Sequence, residues 1–386
     1  QGVQACANLQ MLTGNMGIRG GGVNPLRGQN NVQGACDVGC LPDFFPGYQR
    51  VADEKAREKF AQAWGARFGD KPGLTIVEML NAAEHGRVKA LYVTGENPVM
   101  SDPDSQHVIH ALESLDFLVV QDIFLSDTAR LADVVLPAAS FAEKSGTFTN
   151  TERRVQLIRP AIDPPGEARP DWEIVVDLAR RTLKALGRTP DGPYAGWDYA
   201  SPTQIMDEIA ALAPIYGGIR HSRLENGGLQ WPCPSTDHPG TPILHVGKFS
   251  RGLGKFNPVD YVPPAETPNG GYPLILTTGR RLEHYHTGTM TRRVAGLNKL
   301  APEERVEINA QDAARLGIAD GDWVIVESRR GRVKVRAAVG PRCRPGVVFM
   351  TFHFAEALGN VLTHAALDPV SKIPEFKVAA VRVQKA

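Results

Sequence analysis

Hydrophobic and polar positions change rhythm several times along the chain. The spacing predicts an amphipathic helix over Asp53–Trp64, with Phe60 and Trp64 on one face, and another over Leu74–His85. Val88–Val93 is a short apolar run that ends at Thr94-Gly95-Glu96-Asn97-Pro98 and reads as a strand leading into a loop. His107–Leu115 reads as a helix, Phe117–Val120 as a buried strand ending at Gln121-Asp122, and Asp133–Pro137 as a third strand. Strands alternating with helices imply a parallel sheet covered on both faces. Ligands of such sheets sit beyond the carboxyl ends of the strands, where Gly95–Ser101 and Gln121-Asp122 fall.

Elsewhere the rhythm breaks. Gln10–Gln49 scatters Gly14, Gly17, Gly20, Gly21, Gly22, Gly28, Gly34 and Gly39 among polar residues, which predicts a long ordered loop with one helical turn. Asp171 stands as N-cap of a helix over Trp172–Leu186. From Gly187 to Gly271 Pro and Gly crowd in, around a helix near Pro202–Leu212. The pattern then turns to strands at Leu274–Thr278, Trp323–Ser328, Arg332–Val339 and Val347–Met350. An Arg-Arg-Gly turn joins the second and third into a hairpin, and Ala310–Leu316 is a short helix closed by Gly317. The predicted class is α/β, with a parallel-sheet, dinucleotide-binding-like central domain and a C-terminal β-barrel. The expected divisions are a Gly-rich loop segment at 1–50, the α/β domain at 51–215, an irregular connection at 216–269 and the barrel at 270–386. No internal repeat is visible.

The chain has 386 residues, 42% hydrophobic and 22% charged, which is the balance of a soluble protein. Its 43 Lys and Arg offset 42 Asp and Glu, so a chain-wide basic surface for nucleic acid is excluded. The 39 glycines and 29 prolines exceed ordinary usage, and the ordered loops they imply are where binding sites concentrate. Five scattered cysteines suit a reducing, cytoplasmic setting better than a disulfide scaffold. No apolar run approaches the ~20 residues of a membrane span. Gln1-Gly2-Val3-Gln4 carries no initiator Met and no leader pattern, and is expected to be an internal start.

Several motifs carry candidate chemistry. In Asn24-Pro25-Leu26-Arg27-Gly28-Gln29-Asn30-Asn31-Val32-Gln33-Gly34, one cation stands among amides and glycines. The Arg27 fork suits a carboxylate or phosphate; the plainer alternative is a surface arginine paired with an acid. Gly20-Gly21-Gly22 fits neither phosphate-loop fingerprint. Cys36-Asp37-Val38-Gly39-Cys40 lacks the second ligand pair of a zinc site, and no metal ligand is assigned. His284-Tyr285-His286, after Arg280-Arg281, has the spacing to face a metal or a polar ligand, or to hydrogen-bond a loop. Glu143–Arg154 reads as a solvated hairpin tied by ion pairs. Asp171 is a helix cap by default, with acceptance from a guanine-type base as the sharper alternative. No hydrolase signature appears.

Taken together, Ala7–Asn15, Gly21–Asp37, Gly95-Glu96-Asn97-Pro98, Val120–Phe124, Ala132–Pro137, Gly146–Asn150 and Pro374-Glu375-Phe376-Lys377 resemble the catalytic subunits of molybdenum- or tungsten-dependent formate dehydrogenases. These belong to the bis-molybdopterin guanine dinucleotide (dimethyl sulfoxide reductase) superfamily. The resemblance covers essentially the whole chain, and its Arg-Gly-Gln-Asn-Asn-Val-Gln-Gly run is the most specific part.

The resemblance implies that formate is oxidised to CO2, its hydride passing to a metal–sulfido centre between two pterin dithiolenes. Arg27 matches the arginine that orients formate. Gln29, Gly95, Glu96, Asn97, Ser101, Gln121, Asp122 and Asp171 match pterin dinucleotide contacts of the central region. Arg280, His284, Tyr285, Asn360, Phe376 and Lys377 match contacts of the barrel. The sequence departs from its relatives at Arg281 and Glu283, and Phe376 stands where Tyr is common. None of Cys6, Cys36, Cys40, Cys233 and Cys343 matches the metal ligand, so the resemblance makes this chain the C-terminal part of such a subunit. The 4Fe–4S cluster then falls in the remaining N-terminal part or in partner subunits. The Arg- and Ala-rich composition suggests a soluble, cytoplasmic, NAD-linked complex whose partner subunits carry FMN and further clusters. The alternatives are a non-catalytic pterin-binding or assembly module, and another oxyanion reductase of the superfamily.

Overall fold

The short apolar runs become neighbouring strands. In the computed structural model, which describes residues 1–386, Ala90–Thr94, Phe117–Asp122 and Val134–Pro137 form one sheet, all parallel, with Phe117–Asp122 in the centre. Leu118 and Val120 point into a core shared with Leu80, Val108, Ala111 and Leu112. Those residues come from the helices Ile76–Glu84 and Ser105–Glu113, whose apolar positions recur every three or four residues. A capping box starts the first of them: Glu78 accepts from Thr75 N at 2.9 Å and from the Thr75 hydroxyl at 2.8 Å.

The C-terminal strands close on themselves. Six strands form a barrel in the order Arg305–Asn309, Arg332–Gly340, Trp323–Glu327, Ala379–Lys385, Leu274–Gly279 and Val347–Thr351, the last pairing back to the first. Strict alternation fills it: Val324, Val326 and Val335 point inward, whereas Trp323 is 44% exposed on the outside. The hairpin over Trp323–Gly340 has the register set by its Arg-Arg-Gly turn, Glu327 opposite Arg332. Two barrel strands, Arg305–Asn309 and Ala379–Lys385, were not expected from the sequence.

Two local expectations are corrected, and the hairpin expected over Glu143–Arg154 is present a few residues further along the chain. The helix after Pro170 runs over Asp171–Ala185, so Asp171 is its first residue and Pro170 its N-cap. The start of the chain is a helix, Gly2–Leu12, none of whose residues is buried. The hairpin after Glu143 is the pair Gly146–Thr149 and Arg154–Ile158, which a third short strand, Leu229–Gln230, extends. The Glu152–Arg154 ion pair is present there at 2.8 Å.

Contacts divide the chain into two compact units that do not follow sequence order. One unit comprises Gln1–Leu74 and Ala138–Tyr261; the other comprises Thr75–Pro137 and Val262–Ala386. The partition at 51–215 runs across this division, because the parallel sheet belongs with the barrel residues. The first unit has an aromatic core in which Phe45 stacks on Phe60 at 4.5 Å, and a second core around Val155, Tyr216 and Ile219. No helix is long and apolar enough to cross a membrane.

One ion-pair cluster staples the segment ahead of the barrel to its wall. Glu266 accepts from Arg330 at 2.9 Å, Arg329 at 2.8 Å and Ala380 N at 2.8 Å. Desolvation alone would raise its pKa, but the hydrogen bonds from Arg330 and Ala380, with the arginine charges, outweigh that and hold it at about 2. The folded pKa lies below the ordinary 4.5, so this stabilisation is present above about pH 4.5 and disappears as pH falls toward 2. Glu266→Gln should therefore destabilise the protein by ~1–2 kcal/mol at neutral pH and by nothing measurable near pH 2, read from denaturant midpoints at both pH values. An equal loss at both would refute the ion-pair account.

Candidate functional site

The Gly-rich segment is pinned at several points. Asn31 has a left-handed backbone (φ 60), and its side-chain oxygen accepts from Thr149 N at 2.9 Å. The Thr151 hydroxyl donates to Leu26 O at 3.3 Å. The helix Val32–Asp37 follows at once, and a Cβ at Gly34 would collide with the Asn31 side chain. Arg27 itself has φ 46, a conformation that residues with a Cβ rarely adopt. Its Nε donates to Gln33 Oε1 at 3.1 Å. No carboxylate of the same unit pairs with it, so the plainer alternative of a surface ion pair is not realised. Gln29 lies half-buried in the same loop.

Behind Gln33 stands Asp37, with no exposed surface. Its Oδ1 accepts from Gln33 Nε2 at 2.7 Å and from the Tyr48 hydroxyl at 2.8 Å. Its Oδ2 accepts from the Tyr216 hydroxyl at 2.7 Å and from Trp231 Nε1 at 2.6 Å. Desolvation raises its pKa, and these four bonds pull it back only in part. Arg153 caps the far side of Trp231, its guanidinium 5.5 Å from the ring centroid. Asp171, also in this unit, pairs with Lys144, whose ammonium also donates to Ala139 O at 2.9 Å.

The second unit gathers the remaining candidates. Gly95 closes the strand end by donating to Gln121 O at 2.8 Å, and its φ of 64 is one that glycine alone adopts freely. Gln121 is fully buried, accepting from the Tyr92 hydroxyl, and Asp122 caps Phe124 N at 3.1 Å. Asn97 is committed to its neighbours: Oδ1 accepts from Thr128 N at 3.1 Å and from the Thr128 hydroxyl at 2.8 Å, and Nδ2 donates to Asp127 at 3.1 Å. Next to Ser101, the buried Asp102 leaves Oδ2 without a partner. Burial and the adjacent Glu96 charge raise the Asp102 pKa to about 7. The nearby Ser105 hydroxyl is also buried without a partner.

At the barrel rim, Arg280 lies 5.7 Å from the Phe352 ring centroid and pairs with no acid. Lys377 donates to Thr278 O at 2.7 Å, and the Thr278 hydroxyl donates to Phe376 O at 2.7 Å. Desolvation and the Arg280 charge lower the Lys377 pKa. Asn360 is buried, its amide donating to Met100 O at 2.8 Å and Ser101 O at 3.1 Å, so it holds the turn at Ser101. Both ring nitrogens of His284 are engaged, Nε2 with Ala301 O at 2.8 Å and Nδ1 with the Thr291 hydroxyl at 3.3 Å. Tyr285 N donates to the same hydroxyl at 3.0 Å. Loop bonding, one of the readings left open for His284, is present in the fold. A cavity of about 330 Å³ in this unit is lined by Arg130, Arg292, Arg293, Ser126, Thr287, Thr289 and neighbours. None of these was singled out from the sequence, although Thr291-Arg292-Arg293 is a visible basic cluster.

This combination of a parallel sheet with loops at its carboxyl ends and a small barrel is shared with known proteins. Residues 1–181 match the family model of Molybdopterin oxidoreductase, and residues 274–380 match that of the Molydopterin dinucleotide binding domain. The chain belongs to the molybdopterin oxidoreductase family. It is 53% identical over 386 residues to the F420-dependent formate dehydrogenase subunit alpha of Methanocaldococcus jannaschii, covering 99% of this chain and 55% of that one. It is 40% identical over 389 residues to formate dehydrogenase H of Escherichia coli, covering 99% and 53%. The assimilatory nitrate reductase catalytic subunit of Bacillus subtilis is 39% identical over 393 residues, covering 99% and 54%. The chain thus spans about half the length of the curated relatives it matches. Among solved structures, acetylene hydratase from Pelobacter acetylenicus shares the fold at a TM-score of 0.61 and 16% identity, over 87% of this chain and 50% of that one.

A pterin guanine dinucleotide brings phosphates and rings rich in N–H donors, and the donor set of the second unit fits both. Arg280 and Lys377 are cations without acids. Asp102 Oδ2 is a buried acceptor without a partner. Asp102 prefers its neutral form in the fold, so its contribution to stability is full below the ordinary 3.8 and is lost as pH rises through about 7. In the cofactor-free protein, Asp102→Asn should gain stability relative to wild type between about pH 4 and pH 8, followed by chemical denaturation. Parallel pH profiles would contradict the burial argument.

Proposed function

We propose that this chain is the C-terminal part of the catalytic subunit of a formate dehydrogenase, oxidising formate to CO2. Arg27 carries the proposal: a guanidinium gripped at Nε, with both terminal nitrogens left for an anion. A guanidinium–carboxylate pair at 4 Å is worth ~4 kcal/mol at an effective dielectric of 20, against ~1 kcal/mol in water. A small acid such as formate has little else to be held by, so a fixed fork in a partly desolvated loop accounts for both binding and orientation.

When bound, the bis-molybdopterin guanine dinucleotide supplies molybdenum or tungsten as the two-electron oxidising centre. Arg280 and Lys377 neutralise its phosphates on this reading, and Glu96, Asp122 and Asp171 accept from its hydroxyls or ring amines. Gln29, Gly95, Asn97, Ser101, Gln121, Tyr285 and Phe376 line its path, while His284 and Asn360 shape the loops around it. The 1–50 segment is then the substrate loop, and the 51–215 and 270–386 segments bind the pterins. The 4Fe–4S cluster belongs to the rest of the subunit or to its partners.

The electron acceptor separates two versions of this function. The sequence suggests NAD, reached through flavin- and cluster-carrying partner subunits. The name of the 53%-identical relative favours F420. Formate-dependent reduction of each acceptor by the whole complex decides between them.

In the full enzyme, Arg27→Ala should lower kcat/KM for formate by at least ~100-fold, and Arg27→Lys should recover little because it lacks the fork. Wild-type turnover by Arg27→Ala would sink the proposal. The double variant Arg280→Ala, Lys377→Ala should purify with less pterin dinucleotide, measured as oxidised pterin fluorescence and released GMP; unchanged content would remove these two residues from the cofactor site.

A further inference from the structure

Gln33 stands between two charges of opposite sign. Its amide nitrogen donates to Asp37 at 2.7 Å, and its oxygen accepts from Arg27 Nε at 3.1 Å. Only one orientation of the amide suits both ends. Turned over, it would set NH2 against the guanidinium and oxygen against the carboxylate, two repulsive contacts in place of two attractive ones. Asp37 cannot move to compensate, because Tyr48, Tyr216 and Trp231 hold it as well.

Arg27 needs such a hold. Its backbone is in the left-handed region, and Leu26 beside it is 83% exposed, so local packing does little to fix the side chain. A carboxylate in direct contact would fix it too, but would occupy the bidentate fork and compete with an anionic ligand. Placing an amide between the charges fixes the guanidinium through Nε and leaves its terminal nitrogens available.

We propose that Asp37 is a positioning residue for Arg27, acting through Gln33, and that this Asp–Gln–Arg relay sets the affinity of the site for its one-carbon carboxylate. The proposal rests on the formate reading. It extends that reading to a buried residue that touches no substrate.

The test uses the full enzyme with Asp37→Asn and Gln33→Leu. The second variant leaves Asp37 three of its donors, so it covers the case in which the first does not fold. Both should raise KM for formate about tenfold or more, with a smaller change in kcat. In an Arg27→Ala background, neither should cost more than about twofold further. The independent readout is modification of Arg27 by phenylglyoxal, followed by peptide mass spectrometry with and without formate. Formate should protect Arg27 in wild type and protect it weakly in both variants, and Arg27 should react faster in the variants without formate. Unchanged KM and protection in the variants, or an equal activity loss in the Arg27→Ala background, would overturn the relay. If formate fails to protect wild-type Arg27, the formate reading falls. The reaction rate without formate then judges the relay alone: faster modification in Gln33→Leu supports it, and an unchanged rate overturns it.

Discussion

Asp37 carries a carboxylate into a place without solvent, and four side chains from three stretches of one unit converge on it. Removing such a group from water costs several kcal/mol unless charge-assisted bonds replace the lost hydration. Each such bond returns about 1.5–3 kcal/mol, so four together hold the charge in place. The arrangement has a geometric consequence. Tyr48 belongs to the turn after Phe45, while Tyr216 and Trp231 belong to the irregular stretch beyond the helix Pro202–Leu212. One carboxylate therefore fixes how these stretches meet the helix Val32–Asp37, and the Gly-rich loop ahead of that helix inherits its position.

The second unit handles carboxylates in the opposite way. Asp102 is buried beside Glu96 and lacks the donors that Asp37 has. A saturated carboxylate is a finished part of the fold; an oxygen buried without a donor calls for an explanation of its own. The same contrast runs through the cations. Arg281 faces Glu304 at 3.6 Å, and Arg292 makes a two-pronged pair with Glu356 at 2.7 and 2.8 Å. These arginines are neutralised by acids, whereas Arg280 and Lys377 have no acid partner.

Much of the fold was legible because it is written in local patterns. Phe117–Val120 is a contiguous apolar run, and the hairpin over Trp323–Gly340 alternates cleanly about a turn with glycine. Arg305–Asn309 alternates about Val306 and Ile308, a period-2 signal only five residues long, and Ala379–Lys385 opens on two alanines, so both stand out as strands only where the barrel closes around them. The site divides in the same way. Arg27 stood out as one cation among amides. Asp37 did not, because its partners Tyr216 and Trp231 lie 179 and 194 residues away. Nothing in Cys36-Asp37-Val38 signals them. His284 stood out by its motif and Asn360 through the resemblance, but their use inside the fold depends on Ala301 and Met100, which no spacing rule connects to them.

This contrast also bears on what the chain as a whole can bind. Its formal charge is +1, so attraction for an anionic ligand cannot come from bulk charge. It has to come from which cations are left without acids and which carboxylates are left without donors. Arg27, Arg280 and Lys377 stand on the first side and Asp102 on the second. Arg27 belongs to one unit and Arg280, Lys377 and Asp102 to the other, so each stands as a separate candidate contact for the ligands proposed above.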